Sequence, residues 1–124
     1  MQEQLLAHLV GDYLLQSTDM ATKKVKNSWW CLYHVTIYTL PFLFLTQNLV
    51  SLGIIFTTHF FIDRFRLARF VNQFKNYVLG TFNKKVFQTT SGFPATQEDY
   101  LSVWLTIIID NTIHLLINYF ALGL

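Results

Sequence analysis

The sequence predicts an all-α fold: a four-helix transmembrane bundle with an amphipathic interfacial helix between the third and fourth spans. Three observations predict this fold. The 124 residues are 52% hydrophobic and 13% charged, and the charged share is about half that of an average soluble domain. The apolar residues fall into four stretches separated by polar links. All nine Lys and Arg residues lie in only two of these links.

The four predicted spans are judged against the length that a bilayer requires, about 20 predominantly apolar residues. The second span, 29–46, and the fourth, 98–122, meet this length. The third, 49–66, is short, and it reaches the required length by continuing as a helix into its basic end. The first, 4–17, would cross a thin bilayer or re-enter it. Together they make residues 1–124 a single helical membrane domain.

The basic links predict how the chain is oriented. They cover 17–28 and 63–99, and four spans place both on the same side of the membrane. The positive-inside rule makes that side cytoplasmic. Both termini would then face outward from the bacterial inner membrane.

The longer basic link contains a helix of its own. Phe70, Phe74 and Tyr77 recur at helical spacing, with Lys75 elsewhere on the helical wheel. This pattern predicts an amphipathic helix over 67–80 that lies among the lipid headgroups.

Seven ionisable side chains lie inside the apolar stretches or at their edges, where a charge costs roughly 2.5–3.5 kcal/mol. They are three aspartates and all four histidines of the chain. Six of them form pairs spaced four residues apart, and residues at that spacing share one face of a helix. The pairs are His8 with Asp12, His59 with Asp63, and Asp110 with His114, and His34 is the fourth histidine.

These seven side chains predict a metal site. Neutral imidazole and carboxylate are ligands of Zn²⁺ and Mn²⁺, and bundles build metal sites from such ligands on facing helices. Seven ligands are too many for one tetrahedral ion and suit two, so one or two ions are expected. Asp63 and His34 are the candidate catalytic groups for proton transfer. Side chains expected to support the ligands are Gln16, Tyr38, Asn111 and Asn118.

Three arginines at the end of the third stretch predict a phosphate site at the mouth of the bundle. Arg64, Arg66 and Arg69 carry guanidinium groups that bind phosphate bidentately. The same residues are also typical of a cytoplasmic anchor.

Two further interpretations of the buried polar residues stay open. His and Asp side chains hydrogen-bond across membrane helices and hold a bundle together without metal. Rows of such groups also form proton or cation paths.

Composition excludes several classes of protein. Cys31 is the only cysteine, which excludes an intrachain disulfide framework and predicts an inert buried thiol. The net charge of +2 does not predict nucleic-acid binding.

Four strings carry a resemblance that runs from end to end: AHLVGDYLLQ at 7–16, HFFIDRFRLARF at 59–70, TSGFP at 90–94 and WLTIIIDNTIHLLIN at 104–118. They resemble a phage and bacterial membrane-protein family catalogued as a domain of unknown function, number 3307. The resemblance implies a small helical membrane protein, often phage-encoded. More loosely, the chain is similar to YdjM-type inner-membrane metal-dependent hydrolases, and this likeness implies that the seven His and Asp residues are ligands.

The function expected from the sequence is a membrane-embedded metal-dependent hydrolase of a phosphoester or lipid phosphate. One alternative is a non-enzymatic phage-type membrane protein that acts through a host membrane partner, for example in superinfection exclusion. Another is a proton or cation path. The expected partners are the lipid bilayer, a lipid-phosphate substrate and further copies of the chain in a homo-oligomer, but no nucleic acid.

Overall fold

The chain folds into helices joined by short turns. The computed structural model describes residues 2–80, 82 and 84–124. The α-helices are α1 Gln2–Leu9, α2 Thr18–Lys23, α3 Ser28–Thr39, α4 Leu49–Phe65, α5 Leu67–Leu79 and α6 Asp99–Leu122. A π-helical turn covers Val10–Leu14, and 3-10 helices cover Leu40–Phe44 and Lys84–Gln88. These described residues contain no strand, so the all-α prediction is confirmed.

The prediction of a four-span transmembrane bundle is wrong. Within the part of the chain that the structure describes, only α6, with 24 residues, is long and apolar enough to cross a membrane. Helices α1, α3 and α4 have 8, 12 and 17 residues. At about 1.5 Å per residue, each is shorter than the ~30 Å hydrocarbon core of a bilayer. The predicted orientation of the basic links depended on these four spans.

Three local features shorten the helices that were expected to span. Helix α1 gives way to the π-helical turn, which ends at Leu14. Helix α3 ends at Thr39 and continues as a 3-10 helix, because Pro41 has no N–H for the α-helical ladder. Helix α4 ends at Phe65 because Arg66 adopts a left-handed conformation with φ 52°, which an α-helix of L-residues does not continue through. The separate helix expected over 67–80 is present as α5.

The first of two compact units comprises Met1–Phe65 and His114–Leu124. Gln4 on α1 donates from Nε2 to the carbonyl oxygen of Leu115 at 3.1 Å, which joins α1 to the last part of α6. The apolar core of this unit contains Ala7, Tyr38, Phe42, Leu52, Ile55 and Ala121.

The second unit, Arg66–Ile113, is organised by buried amide side chains on α5. Asn72 is fully buried and donates from Nδ2 to Ser91 O and to Thr106 Oγ1, both at 3.1 Å. Asn76 donates to the carbonyl oxygen of Gly92 at 2.8 Å. Gly92 has φ 79°, and a Cβ there would lie 2.6 Å from a carbonyl oxygen of α5, so this loop requires glycine.

Candidate metal centre

Four buried side chains of the first unit bring one ligand atom each to a common point. Asp12 lies on the π-helical turn, His34 on α3, and His59 and Asp63 one turn apart on α4. Their exposed fractions are 7, 0, 1 and 5%, respectively. The four ligand atoms lie within 4.8 Å of one another, so this four-donor cluster could hold a metal ion.

The spacing of the donor atoms suits ligands around one ion. His34 Nε2 lies 3.1 Å from His59 Nε2, 3.1 Å from Asp12 Oδ1 and 3.2 Å from Asp63 Oδ2. His59 Nε2 lies 3.4 and 3.1 Å from the same two oxygens. Metal bonds of about 2.0–2.1 Å place adjacent ligands about 3.3–3.4 Å apart in a tetrahedron and about 2.8–3.0 Å apart in an octahedron. The observed distances lie between these values and reach the tetrahedral one.

The contacts within the four-donor cluster differ from ordinary hydrogen bonds. Asp12 Oδ1 and Asp63 Oδ2 are buried, and neither accepts a hydrogen bond of regular geometry from the described residues. A buried acceptor left in this state costs about 1–3 kcal/mol, and more when it is charged. The Lys24 ammonium, 2.6 Å from Asp63 Oδ2, offsets part of this cost, and a metal ion among the four atoms would offset more of it.

The electrostatics of the four-donor cluster favour ionised carboxylates. Burial opposes ionisation of Asp12, but the imidazoles of His34 and His59 outweigh it and hold the pKa of this carboxyl far below its usual value. The pKa of Asp63 is lowered in the same way, against burial, chiefly by His59. For His59, burial favours the neutral form, yet Asp63 and Asp12 raise the pKa to about 9. Without metal, the two buried carboxylates therefore keep the His59 imidazole protonated at neutral pH.

We expect the thermal stability of the chelated protein to fall as the pH rises from 6.5 to about 9. Folding raises the pKa of His59 over this interval. Its stabilising contribution is therefore complete below pH 6.5 and is lost as the pH passes through the folded pKa. Metal requires neutral imidazole, so the stabilisation that metal provides should grow over the same range. Unfolding scans with chelator and with Zn²⁺ check this, and a flat melting temperature for the chelated protein would contradict it.

Lys24 is a fifth side chain at the four-donor cluster. Its Nζ lies 2.6 Å from Asp63 Oδ2, 3.3 Å from His34 Nε2 and 3.9 Å from Asp12 Oδ1. It is the residue after α2, whose first turn is capped by Ser17. The Lys24 side chain is 14% exposed, more than the carboxylates that it contacts. An ammonium group therefore lies against the donors.

Tyr38 supports the four-donor cluster by packing against His59. Its ring stacks on His59 with centroids 3.6 Å apart, and His59 stacks in turn on His114 at 4.0 Å. The Tyr38 hydroxyl accepts a hydrogen bond from Asn118 Nδ2 at 2.7 Å and bonds to His8 Nδ1 at 2.9 Å. Tyr38 and Asn118 were both expected from the sequence as supporting residues. The hydrogen bonds of the Tyr38 hydroxyl hold in place the ring that stacks on His59.

Among the remaining predicted ligands, His8 and His114 lie beside the cluster. His8 Nδ1 is 3.6 Å from Asp12 Oδ2, and His114 Nε2 is 3.4 Å from Asp63 Oδ1. Each therefore contacts the second oxygen of a cluster carboxylate. Asp110 is half-buried and belongs to the second unit, so the four-donor cluster forms without it.

Two predicted supporting residues have other surroundings. Gln16 lies beyond the π-helical turn, and its Oε1 is buried without a hydrogen bond from the described residues. Asn111 donates from Nδ2 to the carbonyl oxygen of Ile107, one turn earlier on α6.

The three arginines do not share one environment. Arg64 donates from Nη1 to Val25 O at 2.7 Å and from Nε to Ser28 Oγ at 3.1 Å. These bonds tie the end of α4 to Val25 and to the first residue of α3. Arg66 and Arg69 belong to the second unit, and the Arg69 guanidinium lies 4.6 Å from the Phe70 ring centroid.

Cys31 behaves as a buried thiol. Its Sγ donates to the carbonyl oxygen of Phe60 at 3.6 Å. Burial, with the nearby Asp63 charge, raises the pKa of this thiol to about 11, so the sulfur stays protonated at neutral pH.

Sequence reasoning missed Lys24 as a site residue. No spacing rule links it to the four-donor cluster, because it lies in a polar link between apolar stretches. The signal available was an excess of buried carboxylates over buried cations, which predicts that a cation from a link enters the bundle.

Comparison with known proteins places almost the whole chain in one family. The family model described as a protein of unknown function (DUF3307) matches residues 1–122. The matched region includes every residue of the four-donor cluster and Lys24. Neither the curated proteins nor the solved structures contain a match to the chain. The expected similarity to YdjM-type hydrolases is not shown by these comparisons.

Proposed function

The chain belongs to the DUF3307 family of proteins of unknown function, and we propose that this member is a membrane-associated, metal-dependent hydrolase of phosphoesters. The observation that carries the proposal is the convergence of Asp12, His34, His59 and Asp63, with donor separations of 3.1–3.4 Å. A buried set of two carboxylates and two imidazoles is suited to a divalent ion.

The ligand chemistry favours Zn²⁺ or Mn²⁺. Imidazole suits zinc and other transition metals, whereas all-oxygen sites suit Mg²⁺ and Ca²⁺. A tetrahedral Zn²⁺ held by four protein ligands is typical of structural sites, and catalytic sites keep a position open. A six-coordinate Mn²⁺ on the same four donors would keep two positions open. Hydrolysis therefore requires expansion beyond four ligands, and we expect higher activity with Mn²⁺ than with Zn²⁺.

The residues around the four-donor cluster support hydrolysis in separate ways. A divalent ion polarises a phosphoryl oxygen and lowers the pKa of a water molecule toward neutrality. His114 contacts the outer oxygen of Asp63 at 3.4 Å and so orients that carboxylate. His8 contacts the outer oxygen of Asp12 at 3.6 Å and is the group best placed to exchange a proton with it. The ring of Tyr38 covers one face of His59.

Helix α6 connects this chemistry to a membrane. It is 24 residues long, and His114 and Asn118 lie buried on one face of its C-terminal part. Leu116 and Phe120 are 54% and 69% exposed on this helix, which suits contact with acyl chains. We therefore favour a lipid phosphate or a lipid-linked phosphoester as the substrate.

Metal content and hydrolysis test the proposed function together. The chain is purified in mild detergent without a metal-binding tag, and metal is counted by mass spectrometry for wild type and Asp12→Asn. We expect about one equivalent in wild type and a large loss in the variant. Hydrolysis of phosphatidic acid and of bis(4-nitrophenyl) phosphate should stop with chelator and return with Mn²⁺. Metal without hydrolysis would make the site structural, and no metal in wild type would make the cluster a hydrogen-bonded network.

A further inference from the structure

Helix α5 of the second unit turns its polar side toward the protein. Asn72 and Gln73 are buried, with exposed fractions of 0% and 9%. Gln73 donates from Nε2 to the carbonyl oxygen of Thr89 at 3.3 Å, and Asn72 donates from Nδ2 to Ser91 O at 3.1 Å. A surface helix of a water-soluble domain buries its apolar stripe instead. The amphipathicity of α5 is therefore inverted relative to a helix whose outer side meets water.

The outer face of α5 consists of Phe70, Val71, Phe74 and Val78. Phe70, Phe74 and Val78 follow one another at intervals of four residues, so they form one stripe along the helix. The exposed fractions of the four side chains, in chain order, are 47, 42, 67 and 38%. A contiguous exposed apolar surface marks a contact with another molecule or with a membrane.

Aromatic side chains extend this surface beyond the end of α5. The centroid of the Tyr77 ring lies 5.7 Å from that of Phe82 and 5.5 Å from that of Phe87. Phe82 and Phe87 are 67% and 50% exposed. Tyrosine is enriched at the level where the hydrocarbon of a bilayer meets water. The apolar surface therefore continues from the outer face of α5 onto two further phenylalanines.

The segment that carries this surface is strongly basic. Residues 66–97 contain no Asp or Glu. They contain five basic residues, Arg66, Arg69, Lys75, Lys84 and Lys85, of which the first and the last two are exposed. Anionic lipid headgroups attract basic residues close to a membrane surface. The charge of the segment is thus complementary to a bilayer that contains anionic lipids.

The same charge disfavours a second copy of the chain as the partner of this face. Two copies related by a two-fold axis would bring the same surface patch together, and both patches carry the basic residues of 66–97. Like charges opposed across an interface weaken it. An anionic bilayer instead offers hydrocarbon to the phenylalanines and negative charge to the basic residues.

We propose that the outer face of α5 is a lipid-binding surface that docks on anionic bilayers. The helix lies along the membrane plane, with Phe70 and Phe74 buried about 5–10 Å into the boundary between headgroups and acyl chains. The basic residues of 66–97 pair with anionic headgroups. This surface belongs to the second unit and does not depend on a metal ion in the four-donor cluster, so the inference goes beyond the proposed function.

Spin-label accessibility in the full chain tests the docking. A nitroxide is attached to Phe74→Cys in a Cys31→Ala background, and the protein is reconstituted into vesicles of phosphatidylcholine and phosphatidylglycerol. Oxygen dissolves among acyl chains, whereas nickel ethylenediaminediacetate stays in water. We expect the label at position 74 to collide with oxygen and to lose its collisions with the nickel complex. The control is Ala21→Cys, at an exposed position of the polar helix α2, where the label should stay accessible to the nickel complex.

Two results of this experiment would overturn the inference. Free access of the nickel complex at position 74 would place the outer face of α5 in water. Exclusion of both oxygen and the nickel complex would mean that protein covers the face, either a second copy or another partner. Metal counted in the same samples tests the proposed function separately.

Charge variants of the labelled protein test the choice of anionic lipid. They are compared at the phosphatidylglycerol content at which the parent shows equal amounts of lipid-exposed and water-exposed label. Arg66→Gln with Lys84→Gln should lower this ratio about 25-fold, because each basic residue near an anionic surface strengthens binding about fivefold. Lys23→Gln with Lys26→Gln makes the same charge change in the first unit and should leave the ratio unchanged. Equal ratios in all three proteins, or equal losses in both double variants, would overturn the anionic assignment.

Discussion

Replacing Asp63 with asparagine is expected to weaken metal binding by about 100- to 1,000-fold. Structural zinc sites bind with about 10–16 kcal/mol, so one of four ligands accounts for about 2.5–4 kcal/mol. The amide has nearly the same shape as the carboxylate and removes one negative charge. Asp63 Oδ2 contacts His34, His59 and Lys24, so it lies at the centre of the four-donor cluster. Competition with a chelator of known affinity measures the loss.

The matched control is Asp19→Asn. It makes the same chemical change on α2, where Asp19 is 63% exposed and pairs with Lys23. Exposed ion pairs contribute about 0–1 kcal/mol, so metal affinity should stay within twofold of wild type. Equal affinities in wild type and Asp63→Asn would exclude Asp63 as a ligand.

The second large effect is expected from Gly11→Ala, which should destabilise the protein by about 1–3 kcal/mol and also weaken metal binding. A Cβ on Gly11 would lie 2.6 Å from Tyr38 Cδ2, 3.0 Å from Tyr38 O and 3.1 Å from Tyr38 Cα. Two of these atoms are backbone, so the π-helical turn must move away from α3. Asp12 is the next residue and would move with it, away from the other three donors. Unfolding scans and chelator competition measure the two effects.

Gly53→Ala is the control for this change. Gly53 lies on α4, and a Cβ there would meet nothing within 4 Å. Alanine in a helix is favoured over glycine by about 1 kcal/mol, so this variant should be slightly more stable and bind metal normally. If Gly11→Ala behaves like Gly53→Ala, the close approach of the π-helical turn to α3 is incorrect.

The extent of the helices was only partly predictable. Helical spacing located α5, and the length of the last apolar stretch located α6, each to within about one residue at the predicted ends. Apolar composition alone overestimated the length of the first two spans. It counts apolar residues and does not show where the α-helical hydrogen bonds stop. Pro41 and the π-helical turn interrupt those stretches, and Arg66 ends the third. Apolar stretches interrupted in this way can be buried helices of a small unit as readily as membrane spans.

The candidate site was predictable in its residues and less so in its grouping. The spacing of His59 and Asp63 already placed them on one helix face. His34 has no acidic partner four residues away, yet it contacts all three other members of the four-donor cluster. Lys24 gave no periodic signal. Contacts between elements depend on how helices pack, and sequence periodicity carries no information about that.

The sequence by itself determined that the chain is helical and that imidazole and carboxylate pairs share helix faces, because both follow from local spacing along a helix. The tertiary structure alone decided which of the seven His and Asp residues converge and that Lys24 joins them. It also decided that Gly11 must be small. The physical reason is that donor geometry requires atoms from three separate elements, the π-helical turn, α3 and α4, to come within 3.1–3.4 Å of one another, and the packing of those elements sets that distance.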